Sequence, residues 1–295
     1  MPSQPHIQAD ELLEWYARSR RDLPWREPGV SAWQVLVSEF MLQQTPVARV
    51  LPIWMDWVRR WPTPSATAAA SAADVLRAWG KLGYPRRAKR LHECATVIAR
   101  DHGDVVPDDV ETLLELPGIG SYTARAVACF AYRQPVPVVD TNVRRVVARA
   151  VHGLADAGSP STTRDHADVS ALLPKDDTAP QFSVALMELG AIVCTARAPR
   201  CGLCPVSECA WRDAGYPPAQ GPARRVQSYA GTDRQVRGLL LDVLRLSDFP
   251  VTRAELDVAW LTDTQQRDRA LDSLLADGLI TRTVDGLFAL AGEGS

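Results

Sequence analysis

The chain has 295 residues, with 33 basic and 35 acidic side chains and a formal net charge of −2. Hydrophobic residues make up 46% of it, enough for a substantial core, which excludes a globally disordered chain. No run of 18 apolar residues exists and the first residues lack an apolar signal core, so a membrane span is excluded and a cytoplasmic location is expected, nucleoid-associated in a bacterium.

Helical spacing of apolar residues predicts helices over Ile7–Arg18, Ala32–Leu42, Ser71–Trp79, Arg86–Asp101 and Val110–Leu114. The series continues with Ser121–Tyr132, Asn142–Val151 and Gln181–Cys194. Little strict alternation occurs, so the body is expected to be mainly α. Gly215–Gly231 is rich in Pro, Gly and Ala and reads as a linker. Beyond it, helices are expected over Arg234–Leu246, Arg253–Trp260 and Asp263–Asp277. Leu279–Leu290 then alternates around Asp285-Gly286, a two-residue hairpin signal. Three helices and a hairpin over 233–295 suggest a small winged-helix-like module. That stretch holds 7 basic and 11 acidic residues, a net of −4, which leaves +2 on the rest. A phosphate-facing surface must therefore be a local patch.

Four segments carry chemistry. Cys194, Cys201, Cys204 and Cys209 follow C-x6-C-x2-C-x4-C. Four soft thiolates within 16 residues of a cytoplasmic chain suit one metal centre, and spacing alone leaves zinc and a four-iron cluster open. Cys94 and Cys129 sit alone on apolar helix faces and read as buried small side chains.

Leu116-Pro117-Gly118-Ile119-Gly120 joins two helices. Its glycines permit positive φ and close backbone approach, and the helix that starts at Ser121 offers free N–H groups to an anion. A plain helix–turn–helix corner is the alternative. Asp140, in Val138-Val139-Asp140-Thr141-Asn142, stands where a helix begins; an ordinary N-cap is its simplest reading. Glu39 lies in a helix that is apolar around it (Leu36, Val37, Phe40, Met41, Leu42). An acid there is paired, exposed at an edge, or desolvated for use, and desolvation favours its protonated form. On residues alone the exposed position is the commoner case.

These segments resemble the helix-hairpin-helix DNA glycosylases of the endonuclease III and MutY type over residues 8–215. The carriers are Ser38-Glu39-Phe40-Met41-Leu42-Gln43-Gln44-Thr45, the LPGIG hairpin, Val138–Val143, and Met187–Cys194 ahead of the cysteines. The family's usual loop is C-x6-C-x2-C-x5-C; here the last interval is one residue shorter. The resemblance implies a two-lobed helix-hairpin-helix fold with a [4Fe–4S] cluster on Cys194, Cys201, Cys204 and Cys209. The glycosylase domain spans 1–215, with a six-helix lobe at about 28–135 and an iron–sulfur lobe from 1–27 and 136–215. A linker (216–232) and the winged-helix-like module (233–295) follow.

The resemblance also implies roles. Glu39 protonates adenine, Asp140 stabilises the cation at C1′, and Asn142 braces Asp140. Tyr122 replaces the lysine of strand-cleaving relatives; it cannot form a Schiff base, and its hydroxyl would bond Asp140 or the sugar. Gln44 is the wedge that fills the gap of a flipped base, with Gln43 and Thr45 beside the opposite base and Leu82 and Tyr84 stacked against it. Arg26, in Leu23-Pro24-Trp25-Arg26, belongs to the adenine pocket. Gly118 and Gly120 hold phosphate. Arg86, Arg87, Lys89 and Arg90 are expected phosphate contacts; from the residues alone, Arg144 and Arg145 read as a solvated helix face. The expected partner is duplex DNA with A·8-oxoguanine or A·G mispairs, bound by a monomer. The Nudix-like β-domain that ends typical members does not fit 233–295, which is shorter and more helical; its acidic balance makes strong DNA binding unexpected, and a packing or protein-partner role is expected there. Two other readings are a bifunctional pyrimidine-lesion glycosylase and lyase, opposed by Tyr122 and the Q-Q-T segment, and a zinc-bearing DNA-binding regulator.

Overall fold

The computed structural model describes residues 7–219 and 229–293. Residues 220–228 of the expected linker lie outside the described residues. In chain order the helices are α1 (Ala9–Ser19), α2 (Ala32–Leu42), α3 (Val47–Arg60), α4 (Pro64–Ala68), α5 (Ala72–Trp79) and α6 (Arg86–Asp101). Then come α7 (Val110–Glu115), α8 (Ser121–Phe130), α9 (Thr141–Ala150), α10 (Thr162–Leu172), α11 (Ala179–Ile192) and α12 (Ala210–Asp213). The C-terminal segment adds α13 (Asp233–Leu246), α14 (Arg253–Asp257), α15 (Thr264–Ala276), β1 (Ile280–Arg282) and β2 (Phe288–Leu290). The mainly α expectation holds. Among the described residues no helix is long and apolar enough to cross a membrane.

The chain forms two compact units. The first comprises 1–35, 108–114 and 119–223; the second comprises 36–107, 115–118 and 224–295. Helix α2 passes from the first to the second after Val35, and the LPGIG turn passes back after Gly118. The expected six-helix lobe thus contributes α3 to α6 to the second unit and α8 to the first, and the 233–295 segment belongs to the second unit.

In the first unit, α1, α9 and α11 share a core of Leu12, Trp15, Tyr16, Val143, Val146, Val147, Phe182, Leu186 and Leu189. In α9 the buried valines recur at i, i+3 and i+4, the spacing of a helix with one apolar stripe. In the second unit Trp57 packs edge-on against Trp61 at 4.8 Å and against Trp79 at 6.0 Å, geometry favoured by the ring quadrupoles.

The C-terminal segment packs α13 against α15, with Val236, Leu240, Leu244, Leu271 and Leu274 buried. Thr252 and Glu255 close a capping box on α14. Strands β1 and β2 pair antiparallel, Ile280 opposite Leu290, and Val251 bridges to Phe288. The turn corrects the two-residue hairpin expected at Asp285-Gly286. Thr283 N–H donates to Leu287 O at 2.9 Å, so three residues lie between the paired positions. Gly286, at φ 79°, supplies the left-handed residue that a three-residue loop needs before it rejoins the ladder.

Candidate active site

Glu39 sits in the middle of α2. The helix starts on a reciprocal cap: Gln34 N–H donates to Ser31 Oγ at 3.2 Å, and Ser31 N–H donates to Gln34 Oε1 at 2.9 Å. From Val35 to Met41 every residue is buried. Glu39 itself is 4% exposed, which overturns the exposed position that residue statistics favour.

The helix ends on Arg87 of α6. Its Nη1 donates to the carbonyls of Phe40 (2.9 Å), Met41 (3.1 Å) and Gln43, and its Nη2 donates to Thr45 Oγ1 (2.9 Å) and Gly83 O (3.1 Å). The last carbonyls of a helix lack intrahelical partners and carry the negative end of its dipole, so a guanidinium satisfies both. The same group lies over the rings of Trp79 (5.2 Å) and Tyr84 (5.4 Å). Burial lowers its pKa to about 10, still charged at neutral pH. The expected phosphate contact is therefore a clamp that joins the acid-bearing helix, the Gln43–Thr45 loop and the Gly83–Tyr84 turn. Replacing Arg87 with Ala is expected to lower stability by about 3 kcal/mol, because buried carbonyls lose a charged donor. Chemical denaturation checks this; a loss below ~0.5 kcal/mol would show the clamp to be idle.

The neighbouring cations are also committed. Arg86 pairs with Asp277, Lys89 Nζ donates to Asp277 O at 3.1 Å, and Arg90 pairs with Glu93 at 2.9 Å. Gln44 and Tyr84 are exposed and hold left-handed backbone, at φ 56° and 49°. Thr45 and Leu82 turn inward, at 6% and 3% exposure; Thr45 Oγ1 donates to Leu82 O at 3.2 Å. They link the Gln43–Thr45 loop to the Leu82–Tyr84 turn. Gln43 is half-buried.

Gly118 turns at φ 79°, and a Cβ there would lie 2.7 Å from Arg90 Cβ and 3.0 Å from Phe40 Cε1. Both conformation and space demand glycine. Gly120 differs from expectation: its φ is −102° and open space surrounds it. It serves as the N-cap of α8, and the missing side chain leaves the helix's first N–H groups accessible.

In the first unit, Asp140 is the N-cap of α9 and more than a cap. Its Oδ1 accepts Val143 N–H at 2.7 Å and its Oδ2 accepts Asn142 Nδ2 at 2.8 Å. Burial pushes its carboxyl up, and these two donors offset part of that. Asn142 Oδ1 in turn accepts Arg145 Nη2 at 2.8 Å. Arg145 also donates to Gly190 O and Cys194 O, each at 2.7 Å. The expected solvated face of Arg144 and Arg145 is thus corrected: Arg144 is bound to Asp165 at 2.6 Å. Gly190 lets α11 approach α9, since a Cβ there would lie 2.7 Å from Asn142 Cβ. Tyr122 packs beside Val138, and its hydroxyl donates to Met187 Sδ at 4.0 Å. Arg26 lies against the fully buried Glu188, at 3.0 Å, alongside Arg21 at 2.7 Å. Burial raises Glu188, but the Arg21 hydrogen bonds and the Arg26 charge outweigh it and bring its pKa to about 2. The unfolded value is about 4.3, so this stabilisation is complete above that and is lost as pH falls through about 2. Arg26 holds the fold here.

Removing Asn142 has a defined sign. Asn142→Ala deletes a donor to the ionised Asp140, so its pKa moves further up. If ionised Asp140 is required, the acidic limb of single-turnover rate against pH moves to higher pH. An unmoved limb would separate the Asn142 bond from the reaction.

Cys194, Cys204 and Cys209 pack against the core that α1, α9 and α11 share. Cys204 feels the charges of Cys194, Cys201 and Cys209, so the four thiols share one neighbourhood. Arg149, four residues after Arg145 and on the same face of α9, donates to Cys194 Sγ at 3.4 Å and to Thr195 O at 2.8 Å. Its guanidinium lies 4.6 Å over Trp211. Four thiolates with two adjacent guanidinium groups suit an anionic thiolate cluster. Among the described residues no three candidate ligands close on a point as tightly as a single ion requires. A four-iron cluster binds each thiolate through a different iron and does not need that convergence.

Residues 37–169 match the HhH-GPD superfamily base excision DNA repair protein model. Residues 194–208 match the iron-sulfur binding domain of endonuclease III, ending one residue before Cys209. The chain is 82% identical to the adenine DNA glycosylase of Mycobacterium tuberculosis (strain H37Rv) over 289 residues, 98% of this chain and 95% of that protein. It is 75% identical to that of Mycolicibacterium smegmatis over 284 residues, 96% of each. It is 41% identical to the human adenine DNA glycosylase over 203 residues, 66% of this chain and 37% of that one. Among solved structures, a thermostable thymine-DNA glycosylase superposes with a TM-score of 0.62 at 26% identity, covering 70% of this chain and 95% of that one. A trapped endonuclease III–DNA covalent intermediate shares the fold, with a TM-score of 0.60 at 21% identity, covering 70% and 94%.

Proposed function

The chain belongs to the adenine DNA glycosylase family of iron–sulfur base-excision repair enzymes, and from that premise we propose that it hydrolyses the N-glycosidic bond of adenine mispaired with 8-oxoguanine or guanine in duplex DNA. The observation that carries the chemistry is Glu39, a carboxyl 4% exposed within an apolar helix. Glu39 gives its proton to N7 of the flipped adenine. The N9–C1′ bond then breaks and its electron pair stays on the base, which leaves neutral. Asp140, ionised, faces the positive charge that develops at C1′. Water adds to C1′ and its proton returns to the Glu39 carboxylate, which restores the acid. Tyr122 offers no amine for a Schiff base, so the reaction ends at an abasic site without strand cleavage.

Gln44 occupies the space the adenine leaves, and Tyr84 meets the opposite base. The N–H groups at Gly120 and the start of α8 take a DNA phosphate. Cys194, Cys201, Cys204 and Cys209 would hold the [4Fe–4S] cluster, whose Fe–S bonds would close the 194–209 loop that follows α11. Arg145 carries that anchorage to Asn142, one hydrogen bond from Asp140.

Single-turnover assays on duplexes with A·8-oxoguanine, A·G and thymine glycol test the reading. Release of adenine from the first two and no cleavage of the third is expected. Failure to release adenine, or strong borohydride trapping of the wild type on DNA, would overturn it.

A further inference from the structure

Within the second unit, Gln44, Leu82 and Tyr84 line a groove of about 900 Å³ whose opposite wall is α13. Six cations border it: Arg49, Lys81 and Arg86 on one side, and Arg234, Arg237 and Arg245 on α13. Two carboxylates share it, and each is bracketed by two of those cations. Asp277 meets Arg86 and Arg237, and Asp242 meets Lys81 and Arg245. The groove therefore keeps a strong positive excess within a chain of net charge −2. Of the segment's 7 basic residues three face this groove, yet only two of its 11 acidic residues do. An acidic segment has turned its cations to one face. The exposed Arg234 donates from Nη1 to the Tyr84 hydroxyl at 3.1 Å, so α13 reaches the tip of the ring. Two non-glycine residues in left-handed backbone, Gln44 and Tyr84, lie on this one groove, and such strain gathers at ligand clamps.

We propose that α13 forms the second wall of a phosphodiester site, which takes the backbone of the strand opposite the excised adenine. Arg234 and Arg49 contact its phosphates and Tyr84 meets the base between them. The strand assignment rests on the reading that Gln44 and Tyr84 lie at the opposite base. The charge complementarity of the groove does not depend on it.

The test uses the full chain and a duplex with 2′-fluoro-2′-deoxyadenosine opposite 8-oxoguanine, which resists hydrolysis, in anisotropy titrations at several salt concentrations. Arg234→Glu is expected to weaken binding at least ~10-fold and to reduce the log–log salt slope by about one. Arg234→Gln is expected to give a smaller loss in the same direction. Arg269→Glu, exposed and outside the groove, is expected to leave both unchanged. Uncharged methylphosphonate linkages beside the 8-oxoguanine are then expected to weaken the wild type and to add nothing in Arg234→Glu. An unchanged salt slope, additive losses, or coupling to linkages on the adenine strand instead would each overturn the proposal. If the wild type released no adenine from the ordinary mispair, the hydrolytic reading would fail, while the Arg234–phosphonate coupling would still decide the groove.

Discussion

Glu39→Gln is expected to slow single-turnover release of adenine by ~10²–10⁴-fold, the range that a positioned general acid contributes. The substitution replaces the acidic O–H by amide N–H groups that do not give up a proton, at almost no change in volume. Glu39 lies on a helix buried on every side, so a smaller residue would open a cavity and confuse lost chemistry with lost packing. Glutamine fills the same space and cannot protonate N7. The thermal midpoint is therefore expected to stay close to that of the wild type while the rate collapses. Full activity in Glu39→Gln would remove the acid from the mechanism whatever the substrate. A collapse of rate and midpoint together would point to the helix instead, and Glu39→Asp would then separate the two: it keeps an acid but withdraws it by one methylene.

The second large effect is expected at Asp140. Asp140→Asn should lower the rate ~10²–10³-fold, because a charge aimed at a developing cation is worth most where water is excluded. This substitution tests the choice the sequence left open, since asparagine caps a helix about as well as aspartate. The cap, with its 2.7 Å bond from Val143 N–H, can survive, while the negative charge does not. A purely structural Asp140 predicts that Asn is nearly silent in both rate and stability. A charge-stabilising Asp140 predicts a large loss of rate and a small loss of stability. Abasic-site formation under single turnover, read beside a denaturation curve, discriminates between them.

Local pattern made much of this molecule readable. The apolar period of α1, α6 and α13 and the Ser71 cap of α5 are short-range signals, and the structure follows them. The missed elements have physical reasons. Helix α3 begins after Pro46 and carries Pro52 within it, a residue that ordinarily ends a helix. As the sixth residue of the helix it removes the bond to the Ala48 carbonyl, a loss offset by the buried face of Val50, Trp54 and Trp57. Helix α10 is polar and buries little beyond Asp165 and Val169, so no stripe announces it.

The site divides the same way. Glu39 and Asp140 drew notice as acids in unusual company. Arg87 looked like one of four surface cations, because the α2 and Gln43 carbonyls it serves lie more than forty residues away in the chain. Arg145 and Arg149 carried a faint sign, their i, i+4 spacing on one face of α9, but their partners near Cys194 are equally remote. Long-range hydrogen bonding has no period to read.

Gly190 carries no functional group and has no share in the chemistry. Yet the space between α11 and Asn142 admits no side-chain atom, for the nearest Asn142 atom would lie 2.7 Å from a Cβ. A saturation mutagenesis map should therefore score position 190 as intolerant as position 140. At one the loss is a charge, at the other a clearance. A selection that counts only surviving function could not distinguish them, whereas purified Gly190→Ala would betray itself by reduced stability as well as reduced rate.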